Sequence, residues 1–147
     1  MTERKNLPPT PYNKALSRDL LLNYDDSLDN CLYFEHNFGE YALEGRILYN
    51  EQGEMPWVLS VHGARSDYTK SDVVTLGLRE RGYSILGFNM SGHSVASKIP
   101  VESTTLGHNI READAFYSYL HPQREKKLIA YSIGATPALK ILEKNLD

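Results

Sequence analysis

The chain has 147 residues, of which 41% are apolar and 24% charged, and a net charge of −3. That length and mixture are ordinary for one soluble globular domain with a substantial core. The balance of charge excludes a basic face for nucleic acid, and no apolar run approaches the roughly 20 residues of a membrane span.

Residues 1–30 read as an N-terminal arm and a short helix. Pro8, Pro9 and Pro11 mark the arm, which has no signal-peptide core, so a cytoplasmic location is expected. Ala15, Leu16, Leu20 and Leu21 give Asn13 to Asn23 a weak helical pattern, and Asp25 to Asn30 is a polar break. Two strand-like runs follow, Cys31 to Glu35 and about Glu40 to Tyr49, with H-N-F-G-E between them as a hairpin turn. The end of the second run alternates, Ile47 and Tyr49 against Arg46 and Leu48, as in a half-buried antiparallel strand. Cys31, the only cysteine, excludes an intrachain disulfide or a multi-cysteine metal site and reads as a small buried hydrophobe.

From Trp57 the pattern changes. W-V-L-S-V is apolar without alternation, as expected for a strand covered on both faces, and it ends in H-G-A-R-S-D. Ser71-Asp72 can cap a helix carrying Val73, Val74, Leu76 and Leu78 and closing at Gly82. Tyr83 to Phe88 is a second buried-type strand and ends in N-M-S-G-H-S. Thr105 to Leu120 is the strongest helical segment, with Leu106, Ile110, Ala113, Tyr117 and Leu120 on one face. Arg124 to Lys127 is a solvated lead-in to a third such strand, Leu128 to Tyr131. That strand runs without a loop into Ser132 and a helical segment bearing Ala138, Leu139, Ile141 and Leu142. A hairpin followed by three strand–helix units predicts an α/β sheet that begins antiparallel and becomes mostly parallel, flanked by helices.

The chemistry gathers at three strand ends: His62-Gly63-Ala64, Asn89 to His93, and Ser132-Ile133-Gly134. In a parallel sheet these ends share one rim. A-Y-S-I-G keeps the small residues, Ala130 and Gly134, that a nucleophile elbow needs two places before and after its serine.

With these motifs in this order, residues 31–147 resemble the first half of the α/β-hydrolase superfamily, a partial domain ending just after the elbow helix. The resemblance implies Ser132 as the acyl-enzyme nucleophile and the backbone N–H groups of Ile133 and Ala64 as its oxyanion hole. Each such donor is typically worth about 3 to 4 kcal/mol of barrier. It further implies that His62 and Gly63 support the loop, with His62 ordering it and not acting as the base. Two departures stand out. Asn89 and Ser91 take the places of the family's Asp and Arg in the loop after the fourth strand, and Ser94 replaces a glycine. Pro137 costs a bond if the helix begins right after Ser132, or begins a later helix capped by Thr136.

The implied function is a serine hydrolase of an ester, thioester, lipid or peptide bond, with a small-molecule acyl substrate and neither cofactor nor metal. The fifteen residues after Ser132 contain no histidine, so the family's acid and base have no counterpart in them. The chain therefore reads as a fragment, half of a two-chain assembly, or a repurposed half-domain, inactive by itself. Its last strand would be an open apolar edge, suited to self-association or a complementing chain. A non-catalytic, hydrolase-like interaction module is the alternative. A nucleotide-binding domain is disfavoured, since no phosphate-binding glycine motif follows any strand. The remaining histidines, His36, His93, His108 and His121, read as turn, rim, capping or surface residues.

Overall fold

The computed structural model describes residues 23–24, 31–50, 54–93 and 104–146. The two glycine-turn strands, β2 (Cys31–Asn37) and β3 (Ala42–Leu48), form an antiparallel hairpin, with β1 (Asn23–Tyr24) added antiparallel to β2. The helical pattern over Asn13–Asn23 lies outside the described residues except at Asn23, which is strand. β4 (Trp57–Val61), β5 (Ser84–Phe88) and β6 (Lys126–Ala130) complete a six-stranded sheet in the order β1-β2-β3-β5-β4-β6. β3 pairs antiparallel with β5, while β5, β4 and β6 run parallel, so the sheet changes from antiparallel to parallel at the β3–β5 junction.

Helices cover both faces. α1 (Asp72–Glu80) lies over one, whose core is Cys31, Leu48, Val58 and Ile85. α2 (Leu106–Tyr117) and α3 (Ala135–Asn145) pack together over the other, around Phe34, Ile47, Leu59, Phe88, Phe116 and Ile141. Successive side chains of a strand point to opposite faces, so β4 and β5 feed both cores and every residue in them is buried. Phe88 and Phe116 stack with ring centroids 4.4 Å apart, tying β5 to α2.

Several expectations need correction. The end of β3 is not half-buried: Arg46 and Leu48 are as enclosed as Ile47, because α1 covers the face that alternation assigned to water. Arg46 survives there by pairing both terminal guanidinium nitrogens with Asp72, at 3.2 Å for the Nη1 contact, and by lying 4.7 Å over the Tyr68 ring. Val73 and Val74 of α1 face outward, Val73 at 92% exposure, and Thr75 is the buried position. On α2, Leu106 is exposed, and the buried face carries Asn109 and Glu112 beside Ala113 and Phe116.

The ends of the helices follow local chemistry. Gly82, at φ +98°, closes α1 with Gly82 N–H on the Arg79 carbonyl and Tyr83 N–H on that of Leu78. Thr105 caps α2, its side chain accepting from His108 N–H while His108 Nδ1 accepts from Thr105 N–H. β6 is the sheet edge beyond β4, and its residues are only partly buried apart from exposed Lys127. Among the described residues, no helix is long and apolar enough to cross a membrane.

Candidate active site

Ser132 follows β6 at the carboxyl end of the parallel strands. Its φ is +51°, the left-handed region that non-glycine residues seldom occupy. A 3-10 turn, Ser132–Gly134, joins β6 to α3. Tyr131 N–H donates to the Val61 carbonyl at 3.0 Å, and Gly134 N–H to the Tyr131 carbonyl at 2.9 Å. A Cβ at Gly134 would stand 2.6 Å from the His62 oxygen and 2.7 Å from that of Val61, so only glycine fits against that backbone. Ala130 ends β6 and packs against the larger core.

Pro137 is resolved by this geometry. α3 starts at Ala135, which puts the proline at the third helical position. Amides of the first turn have no partner within the helix, so the missing N–H forfeits nothing. The helix starts neither directly after Ser132 nor at Pro137.

His62, Gly63, Ala64 and Ser132 line one cavity of about 280 Å³, together with Ser66, Asp67, Lys70 and Tyr131. A Cβ on Gly63 would lie 3.2 Å from Ser132 Cβ, which fixes how closely the β4 loop approaches the serine. Ile133 follows the serine in the turn. Among the described residues, neither Ile133 N–H nor Ala64 N–H has a hydrogen-bond partner, and Ser132 Oγ has none either.

His62 is 3% exposed and fully engaged. Its Nε2 accepts from Met90 N–H at 2.8 Å, so Nδ1 carries the proton and donates to the Gly63 carbonyl at 2.6 Å. Burial lowers its pKa below the usual histidine value, partly opposed by the bond to Gly63. His62 thus joins the β4 loop to the β5 loop. Two more bonds join these loops: Ser66 N–H to the His93 carbonyl at 3.2 Å, and Tyr68 N–H to Asn89 Oδ1 at 3.2 Å.

Of the other histidines, His36 bonds the Tyr119 hydroxyl, His108 completes the α2 cap, and His121 Nδ1 accepts from Gln123 N–H at 3.1 Å. None of the five bonds Ser132.

Asp67, Lys70 and Tyr131 were not singled out by sequence. Asp67 accepts from Thr69 N–H at 2.8 Å and caps the 3-10 turn Tyr68–Ser71, which carries Lys70 to the cavity wall. Its pKa lies below the usual value: burial opposes the shift, and the bonds from Thr69 and the charge of Lys70 drive it. The spacing D-Y-T was the available signal, since aspartate readily caps the amide two residues on. Among the described residues, no group of three or more His, Cys, Asp and Glu side chains could hold a metal ion.

No family model and no curated protein matches the sequence. Solved structures do match, and they are of α/β-hydrolases. A thioesterase domain from the curacin biosynthetic pathway superposes with a TM-score of 0.65 at 24% identity, over 77% of this chain and 39% of its own. An epoxide hydrolase from Vigna radiata gives 0.60 at 19%, over 78% and 36%. Est1E from Butyrivibrio proteoclasticus, with ferulic acid bound, gives 0.61 at 18%, over 76% and 48%. The fold is therefore the N-terminal part of an α/β-hydrolase fold. The chain spans between about a third and a half of the length of these three structures.

Proposed function

We propose that the site belongs to a serine hydrolase acting on an ester, thioester, lipid or peptide bond of a small acyl substrate. Ser132 Oγ is the nucleophile, and Ile133 N–H and Ala64 N–H receive the oxyanion. The observation that carries this reading is the positive φ of Ser132, at a strand-to-helix turn that opens on a cavity. Strain of this kind costs of order 1 to 3 kcal/mol and persists where the surrounding structure enforces it. Ile133 N–H follows that serine and Ala64 belongs to the loop lining the same cavity; neither donor has a partner among the described residues, which gives the strain a use.

A serine hydroxyl needs a base, and no histidine of this sequence bonds Ser132. In this reading the base and its carboxylate come from polypeptide that pairs with the free edge of β6. Such a strand, laid parallel, would end beside the serine. The 147 residues alone would then acylate slowly and turn over poorly.

The open edge also favours a second reading, a hydrolase-like interaction module that uses β6 for pairing. An activated ester such as p-nitrophenyl acetate separates the two. The hydrolase reading expects a covalent acetyl group on Ser132, seen by peptide mass spectrometry and absent from Ser132→Ala. Acetylation spread over lysines, equal in both proteins, supports the module.

A further inference from the structure

Glu112 lies at the middle of α2, completely buried, and the proposed chemistry makes no direct use of it. Its carboxylate accepts from Ser91 N–H at 3.1 Å, Ser91 Oγ at 2.7 Å, Asn109 Nδ2 at 3.0 Å and Tyr41 OH at 3.1 Å. Asn109 Nδ2 also donates to the Ser91 carbonyl at 3.1 Å, so Ser91 is gripped at its amide, hydroxyl and carbonyl. All these donors are neutral, and no cation pairs with Glu112 among the described residues. Arg111 acts on it at one remove, its Nη2 donating to the Tyr41 hydroxyl at 3.2 Å. A buried carboxylate held directly by neutral donors alone is costly, and its retention needs a reason beyond filling space.

The next residue supplies that reason. Met90 N–H, one peptide from Ser91, donates to His62 Nε2, and His62 Nδ1–H donates to the Gly63 carbonyl. Gly63 precedes Ala64, and both line the serine's cavity. A continuous set of bonds thus runs from the α2 helix through the β5 loop to the β4 loop.

We propose that Glu112 is a positioning residue for the oxyanion donor at Ala64, acting through Ser91, Met90 and His62. Because α2 is held to the sheet by Phe116 and Ala113, the carboxylate transmits a rigid reference point to a loop that has no regular structure. The inference rests on reading Ala64 as an oxyanion donor, yet its structural half is testable separately.

The experiment compares Glu112→Ala, Glu112→Gln and Val58→Ala, the last being a core change on the opposite face that lowers stability without touching the loops. Backbone amide NMR follows Met90, Gly63 and Ala64, and the rate of Ser132 labelling by a fluorophosphonate follows reactivity. Glu112→Ala should shift all three amides and slow labelling about tenfold. Glu112→Gln, which keeps an acceptor for Ser91 N–H, should restore most of both. Val58→Ala should move neither. Unmoved Met90 and Ala64 amides in Glu112→Ala, or slowing no greater than in Val58→Ala, would overturn the proposal. If the unaltered chain takes no label, the serine reading fails, and the amide shifts alone decide the role of Glu112. If Glu112→Ala does not fold, Glu112→Gln and Ser91→Ala, which removes one donor, carry the same readouts.

Discussion

At the scale of single residues, the site depends on side chains whose hydrogen bonds leave them no second task. His62 is the clearest case. With Nε2 accepting from Met90 N–H, the ring cannot take a second proton without losing that bond. Its pKa in the folded chain is lowered by burial, so the unfolded chain binds the proton more readily. Stability from this residue is therefore complete above the ordinary histidine value, about 6.5, and is lost as pH falls through it. Urea midpoints measured between pH 8 and 5 should fall with pH, and the slope should shrink in His62→Gln. His121 is shifted in the same direction, by burial and then by Arg124, so His121→Gln is the needed comparison. An unchanged slope in His62→Gln would contradict the lowered pKa assigned to His62.

What sequence could say about these residues was uneven. The strand ends, His62 to Ala64 and Ser132 to Gly134, were legible as positions because unalternating apolar runs stop there, and the second also because small residues flank Ser132. Glu112 was not, since a glutamate on a helix ordinarily faces water, and only tertiary contact with Ser91 makes it internal.

Elements were read well where their signals were local. W-V-L-S-V became β4 residue for residue, and Gly82 closed α1. The errors came from which face a neighbour covers. Arg46 was assigned to solvent on β3 but lies beneath α1, paired to Asp72 at that helix's first residue. Asp72→Ala would leave a guanidinium that is 3% exposed without its counter-ion. The expected cost is about 3 kcal/mol, the lower end for breaking a buried pair, because Asp72 itself is partly solvated. Chemical denaturation checks this, and Asp72→Asn should retain part of the stability by accepting one bond. A loss under about 0.5 kcal/mol would show that Arg46 gains little from the pair.

For the whole molecule, the described sheet has two edges, the two-residue β1 on the antiparallel side and β6 on the parallel side. β4 and β5 are buried throughout, whereas β6, of the same parallel set, has no neighbour beyond it among the described residues. Beside it α3 buries Ala138 and Ile141 but exposes Leu139 at 63% and Leu142 at 47%, half of the four residues read as its apolar face. An unpaired apolar edge of this kind promotes association. Light scattering on the isolated chain should show association that grows with concentration and is relieved in Leu139→Lys/Leu142→Lys. A monomer at high concentration would contradict the pairing role given to β6. The order of the described strands, β5-β4-β6, is what leaves β6 outermost.

The proposed nucleophile is tested most directly by fluorophosphonate labelling followed by peptide mass spectrometry. The expected result is one adduct, on Ser132, that is lost in Ser132→Ala and in chain unfolded by urea. A folded chain that takes no adduct, or takes it equally in Ser132→Ala, would contradict the assignment of Ser132 as the nucleophile.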